Sequence, residues 1–82
     1  MSELAKLRWH CRRGMREMDL LLGGWLDEHY SRASPELQQA FSTILEELDQ
    51  DILDWVMQRR PCPPQYAELV GELRHIRKPQ SN

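Results

Sequence analysis

The sequence predicts an all-α protein, a small single-domain bundle of five helices. Three observations carry that expectation. Apolar residues recur at helical spacing along almost the whole chain, no segment alternates with period two, and the breaks between apolar stripes fall at glycine, proline and capping residues. With 82 residues there is room for one domain. A chain of that length buries about 60–65% of its unfolded surface, so the core is thin. The helical domain is expected over residues 1–78. The ending RKPQSN has no apolar anchor, and residues 79–82 are expected to fray.

The elements follow in order. Leu4, Leu7 and Cys11 form a short first stripe, and Gly14 sits where that helix should stop, because glycine adopts a left-handed C-cap cheaply. Met15, Met18, Leu22, Trp25 and Leu26 form a second stripe, widened by Leu20 and Leu21. Gly23-Gly24 interrupts it. Each glycine costs about 0.5–1 kcal/mol inside a helix, so the second helix is expected to bend there or end early. Ser34-Pro35 is a start signal, Ser as N-cap and Pro at the first helical position. It opens the cleanest amphipathic stripe, Leu37, Ala40, Phe41, Ile44, Leu45 and Leu48. Asp49 can cap a fourth helix bearing Ile52, Trp55 and Val56. Pro61, Pro63 and Pro64 force a turn before a fifth with Tyr66, Leu69, Val70, Leu73 and Ile76.

Composition removes several classes of function. Eleven Lys+Arg against thirteen Asp+Glu give a net charge of −2, which argues against the large basic footprint of a nucleic-acid binder. No apolar run reaches the length of a transmembrane helix, so no direct membrane insertion is expected. The N-terminus MSELAKLRWH resembles neither a signal nor a transit peptide, and the two cysteines read as free thiols in a reducing compartment. A cytoplasmic location is the expectation. Gly23-Gly24 has neither the preceding strand nor the spacing of a nucleotide loop. His10 and Cys11 would point about 100° apart on a helix, and His29, Cys62 and His75 show no ligand spacing, so no metal site is expected. Asp49, Asp51 and Asp54 faintly suggest a calcium loop, but the central Gly is missing and Arg60 stands in place of the closing Glu. Ser31, Ser34 and Ser42 have no histidine at a telling offset. The protein is expected not to be an enzyme.

What remains is a surface. On a helical wheel Trp9 falls about 160° from the Leu4–Leu7–Cys11 stripe, together with Arg12 and Arg13. An indole beside guanidinium groups suits a protein-binding hot spot. Equally, a first helix covered on two sides would make Trp9 part of the core, and the sequence leaves both readings open. Arg13 and Glu17 are spaced as an i,i+4 helix pair, in the less favourable order and around a glycine. An Arg, a bare backbone and a carboxylate make better sense where another chain approaches closely.

The string C-R-R-G-M-R-E-M-D, Cys11 to Asp19, resembles the signature of the SdhE family, the succinate dehydrogenase flavinylation (assembly) factors, whose hallmark is R-G-x-x-E. Arg13, Gly14 and Glu17 fill that hallmark, Met15 the apolar position after the glycine, and Asp19 the acid two after the Glu. Trp9 and Cys11 also sit where that family tends to carry them. Phe41 and the run from Ile44 to Trp55 are similar to the family's F-x-x-L-L-x-x-x-D-x-D-L-x-x-W segment. The likeness extends from about Arg8 to Val56 with a looser fifth helix. It departs at Gly23-Gly24 and at Met18, where Leu is common.

The resemblance implies a chaperone-like factor that binds the flavoprotein subunit of succinate dehydrogenase, and of related fumarate reductases. It would promote covalent attachment of FAD to a histidine of that client. The factor would carry no cofactor of its own and would act by positioning the client's domains. The partner-binding residues so implied are Trp9, Arg12, Arg13, Gly14, Met15, Arg16, Glu17 and Asp19. The competing readings are an interaction module of another kind, such as an antitoxin-like inhibitor, a helical nucleic-acid binder using Arg12, Arg13 and Arg16, and a flavin-binding enzyme.

Overall fold

A computed structural model describes residues 3–77. Among these residues there are five α-helices and no strand: α1 Glu3–His10, α2 Arg16–Glu28, α3 Pro35–Ile44, α4 Asp49–Val56 and α5 Ala67–Arg77, with 3-10 turns at Tyr30–Arg32 and Pro64–Tyr66. The expected tail 79–82 and the boundary at 78 lie outside the described residues.

The last helix organises the bundle. α5 packs against α2, α3 and α4, and its Leu69, Val70 and Leu73 are almost completely buried. They meet Met18, Leu22 and Trp25 of α2, Phe41 and Ile44 of α3, and Ile52 of α4 in one cluster. At its centre Trp25 and Phe41 stack with centroids 4.7 Å apart, while Tyr30 meets the edge of Trp25 at 6.1 Å. Such pairs add about 0.5–1.5 kcal/mol beyond the area they bury. The polar end of Trp25 is satisfied as well, its Nε1 donating to Glu72 Oε1 of α5 at 2.7 Å.

Several expectations require correction. α2 runs unbroken through Gly23-Gly24. The buried residues on either side of the pair, Leu21, Leu22, Trp25 and Leu26, hold the helix and outweigh two weak propensities. A Cβ built on Gly24 would lie 3.8 Å from Ile76 of α5, at ordinary contact distance. α1 stops at His10, four residues before Gly14, where Cys11 N–H donates to Leu7 and Arg12 N–H to Trp9 to close the last turn. Leu4, Leu20 and Leu48 were placed in apolar stripes but are exposed. Asp49 does not cap α4: Leu48 holds the N-cap position and Asp49 is the first helical residue. Ser34 does cap α3, accepting from Leu37 N–H at 3.2 Å. The acids of the faint calcium pattern are taken up by arginines, Asp51 and Asp54 by Arg60 and Asp49 by Arg13.

Both thiols are reduced; Cys11 is buried and Cys62 partly so. Burial pushes the Cys11 thiol up to about 11. Burial, with the Glu47 carboxylate accepting its hydroxyl proton, pushes the Tyr66 phenol up to about 12. Both groups ionise more readily in the unfolded chain, at ordinary values of 9.0 and 10.0. Between those values and the folded ones the native state holds more protons, so stability must fall as pH rises. The urea midpoint is expected to be insensitive to these two groups below about pH 9 and to decline from there toward about pH 12, and Cys11→Ser should flatten the lower part of that decline.

Candidate interaction surface

The Cys11–Asp19 string becomes a short irregular loop followed by the first turn of α2. Its conformation is set at Gly14, whose φ of +85° lies in the left-handed region that side chains rarely adopt. A Cβ added there would meet nothing within 4 Å, so the glycine is required by backbone shape and leaves open space outside it.

The eight residues named for this surface divide into two sets. Arg13 and Asp19 turn inward. The Arg13 side chain is 12% exposed, and its Nε donates to Asp49 Oδ1 at 2.6 Å. One terminal nitrogen donates to the Leu45 carbonyl at 2.6 Å, and more weakly to His10 at 3.4 Å. The other donates to the Glu47 carbonyl at 2.5 Å. The planar guanidinium thus pairs one carboxylate and fastens two carbonyls of the turn between α3 and α4, a task for which its fork of donors is suited. Asp19 accepts the Arg13 backbone N–H at 2.6 Å. Arg13 and Glu17 do not form a pair one turn apart on a helix, because the loop separates Arg13 from α2.

The other six face outward. Trp9 is 68% exposed, which resolves its two readings in favour of the surface, and the Arg12 guanidinium lies 6.0 Å from its ring centre. Gly14, Met15, Arg16 and Glu17 are exposed as well. Glu17 stands in the first turn of α2, where the helix dipole favours a carboxylate.

Asp49 was read as a cap, as part of a faint calcium pattern and as part of the second family segment, and its partnership with Arg13 was missed. A charge pair 36 residues apart in sequence leaves no periodic trace. Arg13→Ala would strand the Asp49 carboxylate and two carbonyls, and is expected to lower the unfolding free energy by about 2–3 kcal/mol in urea titrations. Arg13→Lys should recover only part of that, since an ammonium cannot serve three acceptors held in one plane.

A bundle that uses a partly buried arginine to brace a loop, displays a thioether and a bare glycine on that loop, and sets an indole beside it at the end of α1, has the form of a protein-interaction factor. Among the described residues no group of three metal-ligating side chains comes together, and no helix is long and apolar enough to cross a membrane. Residues 5–77 match the family described as the flavinator of succinate dehydrogenase. Among similar proteins are the FAD assembly factors SdhE of Pseudomonas aeruginosa, 43% identical over 75 residues (92% of this chain, 87% of that protein), and of Shewanella oneidensis, 36% identical over 75 residues (90% and 92%). That of Yersinia pseudotuberculosis is 38% identical over 72 residues (88% and 80%). The chain belongs to this family of FAD assembly factors, the flavinators of succinate dehydrogenase.

Proposed function

We propose that the chain binds the flavoprotein subunit of succinate dehydrogenase through the outward side of the braced loop, and thereby promotes covalent attachment of FAD to a histidine of that subunit. The observation that carries this reading is the left-handed, uncrowded Gly14 between exposed Trp9 and Met15. It exposes backbone to a partner's backbone, with apolar anchors close at hand. Arg12, Arg16 and Glu17 supply directional polar contacts around it. Arg13 and Asp19 serve the same surface from behind, by holding the loop in shape. The fumarate reductase flavoprotein is a second client on this reading.

The factor would be neither an enzyme nor a flavin carrier. The bond to FAD would be formed by the client's own histidine, and the factor's contribution is to hold the client in a reactive arrangement. The state of the thiols supports this: with its proton held up to about 11, Cys11 is no thiolate nucleophile at neutral pH. A nucleic-acid role is disfavoured because Asp49 neutralises the middle one of the three loop arginines, which leaves too small a cationic footprint.

The test is deletion of the gene, followed by in-gel fluorescence of the succinate dehydrogenase flavoprotein. Loss of covalent flavin, restored by the wild-type gene, is expected. Unchanged fluorescence in the deletion strain would sink the reading, and recovery of a different protein with the tagged chain would favour an antitoxin-like module.

A further inference from the structure

α4 begins in an unusual way. Its N-cap, Leu48, is extended (φ −70°, ψ 145°) and offers no side-chain hydrogen bond to the unpaired amides of the first turn. Leucine ranks near the bottom at that position, where Ser, Asp or Asn would satisfy one of those amides, as Ser34 does for α3. Burial does not compensate. Leu48 is 71% exposed, more than any other large apolar residue among those described. A side chain that serves neither its helix nor the core breaks two local rules together, and such breaches concentrate at functional positions.

The placement of Leu48 is nonetheless tightly specified. Arg13 bonds the carbonyl of Glu47 and the carboxylate of Asp49, the two residues that flank it. Leu48 and Trp9 line one shallow groove of ≈ 350 Å³, together with His10 and Arg12. The acids of that groove are engaged, Asp49 by Arg13 and Glu47 by the Tyr66 hydroxyl. The guanidinium on its outer side, Arg12, stacks over Trp9 and faces solvent. The groove is polar for the most part, and within it Trp9 and Leu48 offer two exposed apolar side chains beside a cationic lip.

We propose that Leu48 and Trp9 form a clamp for an apolar side chain of the flavoprotein client, and that Arg12 pairs with a carboxylate beside that side chain. The inference rests on the reading of the Gly14 loop as the client-binding surface, and extends that surface to the corner between α3 and α4. The occupant is the client rather than a second copy of this chain. The groove is continuous with the Gly14 loop through Arg12 and Arg13, and a two-fold contact through it would bring the Arg12 lip of each copy toward the other.

Leu48→Ser separates the two roles of the position because their signs differ. Serine can cap α4, so the melting temperature should rise by a few degrees. Affinity for the purified flavoprotein subunit, measured by titration calorimetry, should fall on the order of tenfold. Leu48→Met should bind like wild type. Gly14→Arg is measured alongside. If Leu48→Ser binds normally while Gly14→Arg does not, the clamp is wrong and the Gly14 surface stands. If both bind normally, the client-binding reading fails with it. A Leu48→Ser protein that is less stable than wild type would show that leucine serves the fold. Loss of a homodimer on sedimentation, with client affinity unchanged, would assign the groove to self-association and overturn the proposal.

Discussion

Gly14→Arg should remain folded and lose its client. The substitution forces a side chain onto φ +85°, a strain of roughly 1–2 kcal/mol, while a Cβ there meets no atom of the protein itself. On the outer side, however, the new arginine occupies the space where a partner's backbone would lie. A clash across a packed interface can cost several kcal/mol, enough to reduce association a hundredfold or more at roughly 1.4 kcal/mol per factor of ten. Thermal melts should show a domain that is still cooperative, and a pull-down with the flavoprotein subunit should come up empty. Binding at the wild-type level would make the glycine a purely structural requirement and move the interface elsewhere. If the variant unfolds, Arg12→Ala becomes the informative change, because Arg12 is exposed and its guanidinium lies over the equally exposed Trp9 ring rather than against the core.

The largest loss of stability should come from Phe41→Ala. Phe41 is fully buried and lies between Trp25 at 4.7 Å and Tyr30 at 6.1 Å. Truncation removes the transfer energy of the ring, opens a cavity and ends both aromatic contacts, for an expected total of about 3–5 kcal/mol. A domain of this size has about 5–10 kcal/mol to lose, so the change removes a large share of its stability, and at the low end of that range it would leave a substantial unfolded population. A shift of under about 1 kcal/mol in urea titrations would mean that the bundle can collapse around the gap.

The helices were legible in the sequence because burial leaves a period. Phe41, Ile44, Ile52, Leu69 and Leu73 lie in the core as their spacing predicts. The errors share a cause. A period says which face is apolar but not where the helix stops, and Leu48 continues the stripe of α3 on paper although α3 ends at Ile44. Once the chain leaves the helix, Leu48 turns outward. Gly23-Gly24 failed in the opposite direction: local propensity predicted a break, and packing of Trp25 against Phe41 and Glu72 prevented it. The loop residues were legible as a motif, but the division of labour among them was not. Arg13 belongs to one recognised string and Asp49 to the other. Their contact means that the two strings are halves of one structural device.

The bracing of the Gly14 loop also bears on the thermodynamics of association. A loop that orders only on meeting its partner gives up about 1–2 kcal/mol of backbone entropy per residue, and that loss is subtracted from affinity. Here the irregular segment is fixed in advance: its Arg13 amide is held by Asp19, and its Arg13 side chain is fastened to the turn between α3 and α4. Preorganisation of this kind leaves more of each modest contact available as net binding energy at the surface proposed for the client.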